Sequence, residues 1–147
     1  EELWPTLMER CPEMKTLVIN ADNGPECSGQ RTQWLKRMVD FSNTYDITIH
    51  LAYYPPYHSK YNPIERCWGV LENHWRGELL NSVEKTLGLA RSMTYNAISP
   101  MVHLVEQVYQ SGVKIAKKVM KEIEAQLSRK EGLEKWFITI SPQGKMG

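Results

Sequence analysis

Two acidic side chains, Asp22 and Glu65, occupy positions where a carboxylate can do chemistry. Asp22 follows a short apolar run, and Glu65 falls in the first turn of a helix predicted to begin with the N-cap Asn62 and with Pro63. Carboxylate oxygens suit Mg²⁺ or Mn²⁺, which retain water and accept phosphate oxygens as further ligands. Two such ions, about 3.5–4 Å apart, can activate an attacking oxygen and stabilise a leaving one. If both carboxylates reach one place, they predict metal-assisted phosphoryl transfer.

The elements that must position these carboxylates form a strand–helix–strand pattern. Residues 16–21 and 47–54 are apolar and partly β-branched, which predicts two strands, and residues 30–43 show helical periodicity. Short connections imply a parallel pair of strands joined by a right-handed crossover, and hence an α/β fold. Ligands of such sheets gather at the carboxyl ends of the strands. Asp22 and Glu65 are therefore expected to face one another at that edge.

Each candidate residue also has a purely structural interpretation. Glu65 could be the glutamate of a capping box that answers Asn62, and Asp22 could be a turn residue bonded to its own backbone. Asn23 is a candidate for orienting the Asp22 carboxylate or a water, although asparagine before glycine is also common in turns. Spacing alone leaves these alternatives open.

A resemblance to a known family adds to this interpretation. Residues 54–68 read YPPYHSKYNPIERCW, which resembles the PP-x-x-S-x-x-NP-I-E-x-x-W segment of insertion-sequence and mariner-type DDE transposases. Residues 19–24, INADNG, resemble the strand that bears the second catalytic aspartate of that family. The resemblance implies a ribonuclease H-like fold, two Mg²⁺ or Mn²⁺ ions, and hydrolytic cleavage and strand transfer of transposon-end and target DNA. It implies that Asp22 and Glu65 are the second and third catalytic carboxylates.

One carboxylate of the family pattern has no counterpart. The family's first aspartate lies on an earlier strand, and the acidic residues before Asp22 lie in no strand-like pattern: Glu1, Glu2, Glu9 and Glu13. The chain also lacks an initiator methionine and begins like the middle of a longer protein. We therefore expect residues 1–80 to be the C-terminal half of a ribonuclease H-like catalytic domain, a partial fold, and the 147-residue chain to be inactive alone.

Residues 81–147 are predicted to form a helical C-terminal extension that ends in a short strand. Helical patterns cover residues 81–96, 99–109 and 114–129, and residues 136–140 are strand-like. Asn81 with Glu84 predicts a capped start for the first of these helices. Strand 16–21 would lack one neighbour, and a bare apolar edge invites pairing with another chain. We expect either self-association into a homo-oligomer through that edge or its capping by the strand at 136–140.

Two sets of residues are candidates for contact with DNA phosphates. Ser59 and Lys60 precede the Glu65 helix, where a solvated loop is the alternative. A basic run lies in the last quarter of the chain, residues 112–147, whose net charge is +4; it comprises Lys114, Lys117, Lys118 and Lys121. Such lysines contact phosphates without reading sequence. A solvated helix face is the alternative, and the interrupting acidic residues favour it.

Composition excludes several other classes of protein. The 147 residues carry a net charge of +1, so overall charge does not indicate a nucleic-acid binder. Three cysteines without a C-x-x-C pair argue against a disulfide framework or a zinc ribbon. No apolar run approaches the roughly 20 residues of a membrane span, and no glycine-rich loop indicates a nucleotide cofactor. The expected location is the bacterial cytoplasm.

Two other functions remain open at this stage. The first is a non-catalytic DNA-binding or dimerisation module derived from a transposase. The second is another ribonuclease H-like nuclease such as a resolvase, although the motif from Asn62 to Trp68 favours a transposase.

Overall fold

The structure, a computed structural model, describes residues 2–55, 58, 61–108 and 112–144. Within these residues the helices are α1 (Trp4–Arg10), α2 (Thr32–Tyr45), α3 (Pro63–His74), α4 (Val83–Ser92) and α5 (Lys117–Gln126). The strands are β1 (Thr16–Ala21), β2 (Thr48–Tyr53), β3 (Leu127–Arg129) and β4 (Phe137–Ile140). They form one sheet in the order β1–β2–β4–β3. The predicted α/β class, a partial ribonuclease H-like fold, is confirmed.

The first two strands and the helix between them form the predicted strand–helix–strand unit. β1 and β2 are parallel, in a register that runs from Thr16 opposite Thr48 to Ala21 opposite Tyr53. Strand β1 has the predicted bounds, and α2 and β2 differ from their predicted bounds by at most two residues. Because the two strands end at the same level, their carboxyl ends share one edge of the sheet.

The core of this unit lies on one face of the sheet. Alternate residues of β2, Ile49 and Leu51, are at most 1% exposed, as period-two burial requires. Leu35 of α2, 1% exposed, and Ile123 of α5, 5% exposed, belong to the same buried cluster. The apolar stripe of α2 thus explains how a helix that follows β1 is fixed against the sheet.

The late strand occupies a different place in the sheet from the predicted one. β4 is antiparallel to β2, with Ile138 opposite Leu51, and it does not cap β1. The expectation that this strand caps β1 is therefore wrong. Ile138 and Ile140 are fully buried, so β4 extends the core on the far side of β2. Among the described strands, β1 keeps one edge without a partner.

Residues 60–109 form a second compact unit, separate from the unit made by residues 1–59 and 110–147. It contains α3, α4 and a tight turn at Asn96 and Ala97, which both have positive φ. The bridge between Tyr95 and Ile98 closes that turn. The predicted boundary near residue 80 stays a prediction.

Three helix predictions after residue 80 need correction. The first described helix there is capped by Ser82 rather than Asn81, and it ends at Ser92. The described part of 99–109 has no helix. The predicted helix at 114–129 is confirmed only over α5, because its last three residues pair with β4 as β3.

The physical reason lies in packing that the sequence does not reveal. A short helix gains its stability mostly from burial of an apolar face. Val105 and Val108 are 49% and 90% exposed, so they bury no such face. Residues 127–129 satisfy backbone groups against β4 instead of continuing α5.

In the described ranges, no helix combines the length and the apolar character that crossing a bilayer requires.

Candidate functional site

Asp22 is the first residue after β1, at the carboxyl edge that β1 shares with β2. Its side chain is exposed. The Oδ1 atom accepts a hydrogen bond from the amide of Gly24 at 3.1 Å. This is the geometry expected if Asp22 is a turn residue bonded to its own backbone. A carboxylate that bonds its own turn is fixed in direction while it remains exposed. Asp22 therefore combines a structural contact with an exposed side chain, and its role as a ligand stays a prediction.

The residues that follow Asp22 form a loop held by side chains. Asn23 has a φ of 61°, in the left-handed region that asparagine tolerates. Its Oδ1 accepts a hydrogen bond from the amide of Gly29 at 3.3 Å, which closes the loop on itself. This contact gives Asn23 a structural role in the loop, and its predicted role in orienting Asp22 or a water stays a prediction.

Cys27 lies beside the Asp22 carboxylate, with Sγ 3.6 Å from Oδ1. Burial raises the pKa of the Cys27 thiol above its ordinary value, and the negative charge of Asp22 adds to the effect. The thiol is therefore neutral near pH 7 and contributes a weak donor to Asp22 rather than a second negative charge.

Glu65 stands in the first turn of α3, as predicted. Asn62 is the N-cap, and its side chain accepts from the amide of Ile64 at 3.5 Å, with Pro63 at the first helical position. No side-chain bond from Glu65 back to Asn62 completes a capping box among the described residues. Its exposed carboxylate has no described hydrogen bond or ion pair. Glu65 thus lies on a capped helix, and its carboxylate has no structural partner in the described part of the chain.

The two carboxylates belong to different compact units. Asp22 lies in the unit of the sheet, and Glu65 lies in the unit of residues 60–109. Their convergence stays a prediction. In the part of the chain that the structure describes, no group of three or more His, Cys, Asp or Glu side chains is placed to hold a metal ion.

The predicted DNA-contacting lysines are exposed. Lys117, Lys118 and Lys121 lie on α5, and Lys114 lies in the segment before it. None of them takes part in the ion pairs found among the described residues. Ser59 and Lys60 lie outside the described residues.

A family comparison decides the class of protein. Residues 1–142 match the family model described as the Rhodopirellula transposase DDE domain. The chain belongs to the DDE transposase family. Comparisons with curated proteins and with solved structures find no significant match.

In this DDE transposase chain, the sequence did not predict the roles of two residues at the loop that follows Asp22. Gly29 is buried, and a Cβ there would lie 2.9 Å from Cδ1 of Ile138. Arg129 donates a hydrogen bond from Nη1 to the carbonyl of Gly29 at 3.0 Å. The sequence pattern assigned Arg129 to the end of a basic helix. Only the pairing of β3 with β4 brings it to the Asp22 side of the sheet.

Proposed function

We propose that this chain supplies Asp22 and Glu65 as the second and third catalytic carboxylates of a transposase that cleaves and joins DNA strands by two-metal phosphoryl transfer. The observation that carries the proposal is the position of Asp22 directly after β1, beside the parallel strand β2 that precedes the Glu65 helix. The family match supports it, because both motifs fall inside residues 1–142.

The donor set fits Mg²⁺ or Mn²⁺. Asp22 and Glu65 are exposed carboxylates, and neither forms an ion pair among the described residues. Hard cations prefer such oxygen ligands and keep waters in their remaining positions. Two bound ions would supply positive charge at the reacting phosphate and at the attacking and leaving oxygens.

The chain's own residues would hold the metal ions and fix the segments that carry the ligands. Asp22 and Glu65 bind the ions, Asn23 fixes the loop after Asp22, and Asn62 fixes the first turn of the Glu65 helix. The attacking oxygen belongs to water in strand cleavage and to a DNA 3′-hydroxyl in strand transfer. Catalysis then rests on geometry and charge neutralisation, and it needs no protein nucleophile.

The proposed partners are transposon-end and target DNA and further copies of the chain. The exposed lysines of α5 are available for phosphate contacts, which carry affinity rather than sequence preference. Lys114, Lys60 and Ser59 complete the proposed DNA-contacting set.

The 147 residues are proposed to be inactive by themselves. Among the described residues no strand precedes β1, and the acidic residue Glu9 lies in α1. We propose that the bridging carboxylate of the active enzyme is carried on a further strand next to β1, which the described residues do not contain. Activity then requires that strand.

The test is Mg²⁺-dependent nicking of supercoiled DNA by the chain alone and by the chain joined to a segment that carries such a strand. We expect activity only in the joined protein. Asp22→Asn and Glu65→Gln should each reduce the rate roughly a thousandfold, because a lost metal ligand removes several kcal/mol of transition-state stabilisation. Glu72→Gln, on the same helix as Glu65, is the matched control and should retain the wild-type rate.

Cleavage, measured beside DNA affinity by fluorescence anisotropy, separates this function from a non-catalytic DNA-binding module. The proposal expects Glu65→Gln to bind DNA as tightly as the control while cleavage is lost. Equal cleavage by Glu65→Gln and Glu72→Gln would contradict the proposed role of Glu65. DNA binding without cleavage in the joined protein would favour the module.

A further inference from the structure

The segment of residues 22–31, named here the Asp22 loop, is anchored at one point by a residue distant in sequence. Arg129 donates from Nη1 to the Gly29 carbonyl at 3.0 Å and to the Glu134 carbonyl at 3.1 Å. The remaining donors of the guanidinium are directed at the carboxylate of Glu124. Nε lies 3.3 Å from Oε2, and Nη2 lies 2.9 Å from Oε1.

This arrangement fixes the direction of the guanidinium. A bidentate pair with a carboxylate holds the planar fork in one orientation, so Nη1 faces Gly29 without freedom to rotate. The Arg129 side chain is 24% exposed, which limits competition from water for these bonds. Lysine cannot reproduce a contact set of this kind, because its ammonium has no fork.

Gly29 transmits the constraint to the residues beside Asp22. Its carbonyl accepts from Arg129, and its amide donates to Asn23 Oδ1 at 3.3 Å. A Cβ at Gly29 would lie 2.9 Å from Ile138 Cδ1, so the backbone here presses on β4. Arg129 and Ile138 are cross-strand partners in the hairpin of β3 and β4. The hairpin thus contacts Gly29 both through a hydrogen bond and through packing.

We propose that Arg129 is a positioning residue for Asp22, which makes the hairpin of β3 and β4 part of the support of the catalytic site. The proposal rests on the proposed function, in which Asp22 binds a metal ion. Loops open more readily than the elements that they join. A loop that carries a metal ligand gains affinity when its bound conformation is fixed in advance. Glu124 takes part indirectly, by orienting Arg129.

The experiment uses the 147-residue chain labelled with ¹⁵N-glycine, so that the amides of Gly24 and Gly29 report on the Asp22 loop. Two quantities are measured by NMR: amide hydrogen exchange, and paramagnetic broadening of both signals during titration with Mn²⁺. The variants are Arg129→Gln, Arg129→Lys and the milder Glu124→Gln. Lys130→Gln, at the next position, is the matched control. It removes a positive charge from the same hairpin, but the Lys130 ammonium lies over the ring of Phe137 and not on Gly29.

We expect both Arg129 variants to exchange the Gly29 amide about tenfold faster, because a hydrogen bond from a charged donor is lost. The Mn²⁺ concentration that half-broadens Gly24 should rise by about the same factor, and Glu124→Gln should show a smaller change in the same direction. Lys130→Gln should match the wild type. Circular dichroism at the measurement temperature confirms that each variant is folded.

Three outcomes overturn the proposal. The first is unchanged Gly29 exchange in the Arg129 variants. The second is faster exchange with unchanged Mn²⁺ binding, in a chain where Asp22→Asn abolishes the broadening. In that case the proposed function stands and Arg129 is only structural. The third is wild-type broadening that does not depend on Asp22; cleavage by Asp22→Asn in the joined protein then decides separately whether the proposed function stands. In this last case the exchange data still show whether Arg129 anchors the loop.

Discussion

Single side chains around the carboxyl edge of the sheet are tied to their neighbours, and Tyr53 illustrates how. Tyr53 ends β2, is 7% exposed, and accepts a hydrogen bond from Nε1 of Trp34 at 3.0 Å. Its ring also lies against the Asp22 loop, since a Cβ at Gly29 would be 3.3 Å from Tyr53 Cε2. Burial raises the pKa of the Tyr53 phenol, although the bond from Trp34 opposes the shift.

Replacement of Tyr53 by phenylalanine tests this contact. The Tyr53→Phe variant leaves the Trp34 indole N–H without its acceptor, and we expect a loss of about 1 kcal/mol in the free energy of unfolding at pH 7. Because the phenol pKa is higher in the folded state, its contribution is full below the unfolded value of about 10 and is lost as pH rises through the folded value. The difference between wild type and variant should therefore shrink above pH 10.

Urea unfolding at pH 7 and at pH 10.5 measures both effects. Tyr45→Phe is the matched control, because Tyr45 is 38% exposed and contacts Trp4 and Phe41 through its ring. It should unfold like the wild type at pH 7. A Tyr53→Phe variant as stable as that control would show that the bond to Trp34 contributes nothing to stability.

At the scale of elements, caps decide where helices begin. Ser82 has extended backbone angles, and its Oγ accepts from the amide of Lys85 at 3.1 Å. The sequence pattern favoured Asn81, which is also a good N-cap type and also precedes Glu84 by three residues. Asn81 and Ser82 are adjacent and both are favourable N-cap types, so residue type alone does not show which of them caps α4.

Substitution of each candidate by alanine distinguishes them. Ser82→Ala should destabilise the unit of residues 60–109 by about 1 kcal/mol, the usual loss for an N-cap serine. Asn81→Ala should be neutral. Among the described residues, Asn81 forms a hydrogen bond only through its backbone amide, which donates to the carbonyl of Leu79 at 3.0 Å, and alanine keeps that bond. Thermal unfolding followed by circular dichroism at 222 nm measures both variants. A larger loss for Asn81→Ala would place the cap where the sequence pattern suggested.

Elements with strong local patterns were predictable, and elements defined by distant partners were not. The apolar run of β1 and the Asn62–Pro63 start of α3 specify their own structure, and the structure confirms both. Strand β3 depends on its pairing with β4. The residues of β3 taken by themselves continue a helical pattern, so the sequence predicted a helix there. The same holds at the candidate site, where the strand and motif place Asp22 among the candidates. Arg129 was not among them, because its contact with Gly29 joins residues 100 positions apart.

At the scale of the whole molecule, the two edges of the sheet differ in their capacity to pair with another chain. Strand β3 at one edge has three residues, and a short edge strand is poorly suited to pairing. Strand β1 at the other edge has six residues, and its Val18 is 55% exposed. Among the described strands, β1 is therefore the stronger candidate for contact between copies of the chain, consistent with the proposed homo-oligomer.

Charge placed on each edge tests this asymmetry in a matched pair of variants. Val18 lies opposite His50, His50 opposite Thr139, and Thr139 opposite Ser128, so Val18 and Ser128 end one row across the same face of the sheet. A lysine on an edge strand disfavours pairing between sheets. We expect Val18→Lys to shift the chain toward monomer and Ser128→Lys to leave its association unchanged, as measured by sedimentation velocity over a range of concentrations. Both positions are exposed, so neither lysine removes core packing. A difference in association between the two variants is therefore not expected to come from a difference in their folding. A wild-type chain that is monomeric at every concentration, or equal association of the two variants, would refute pairing through β1.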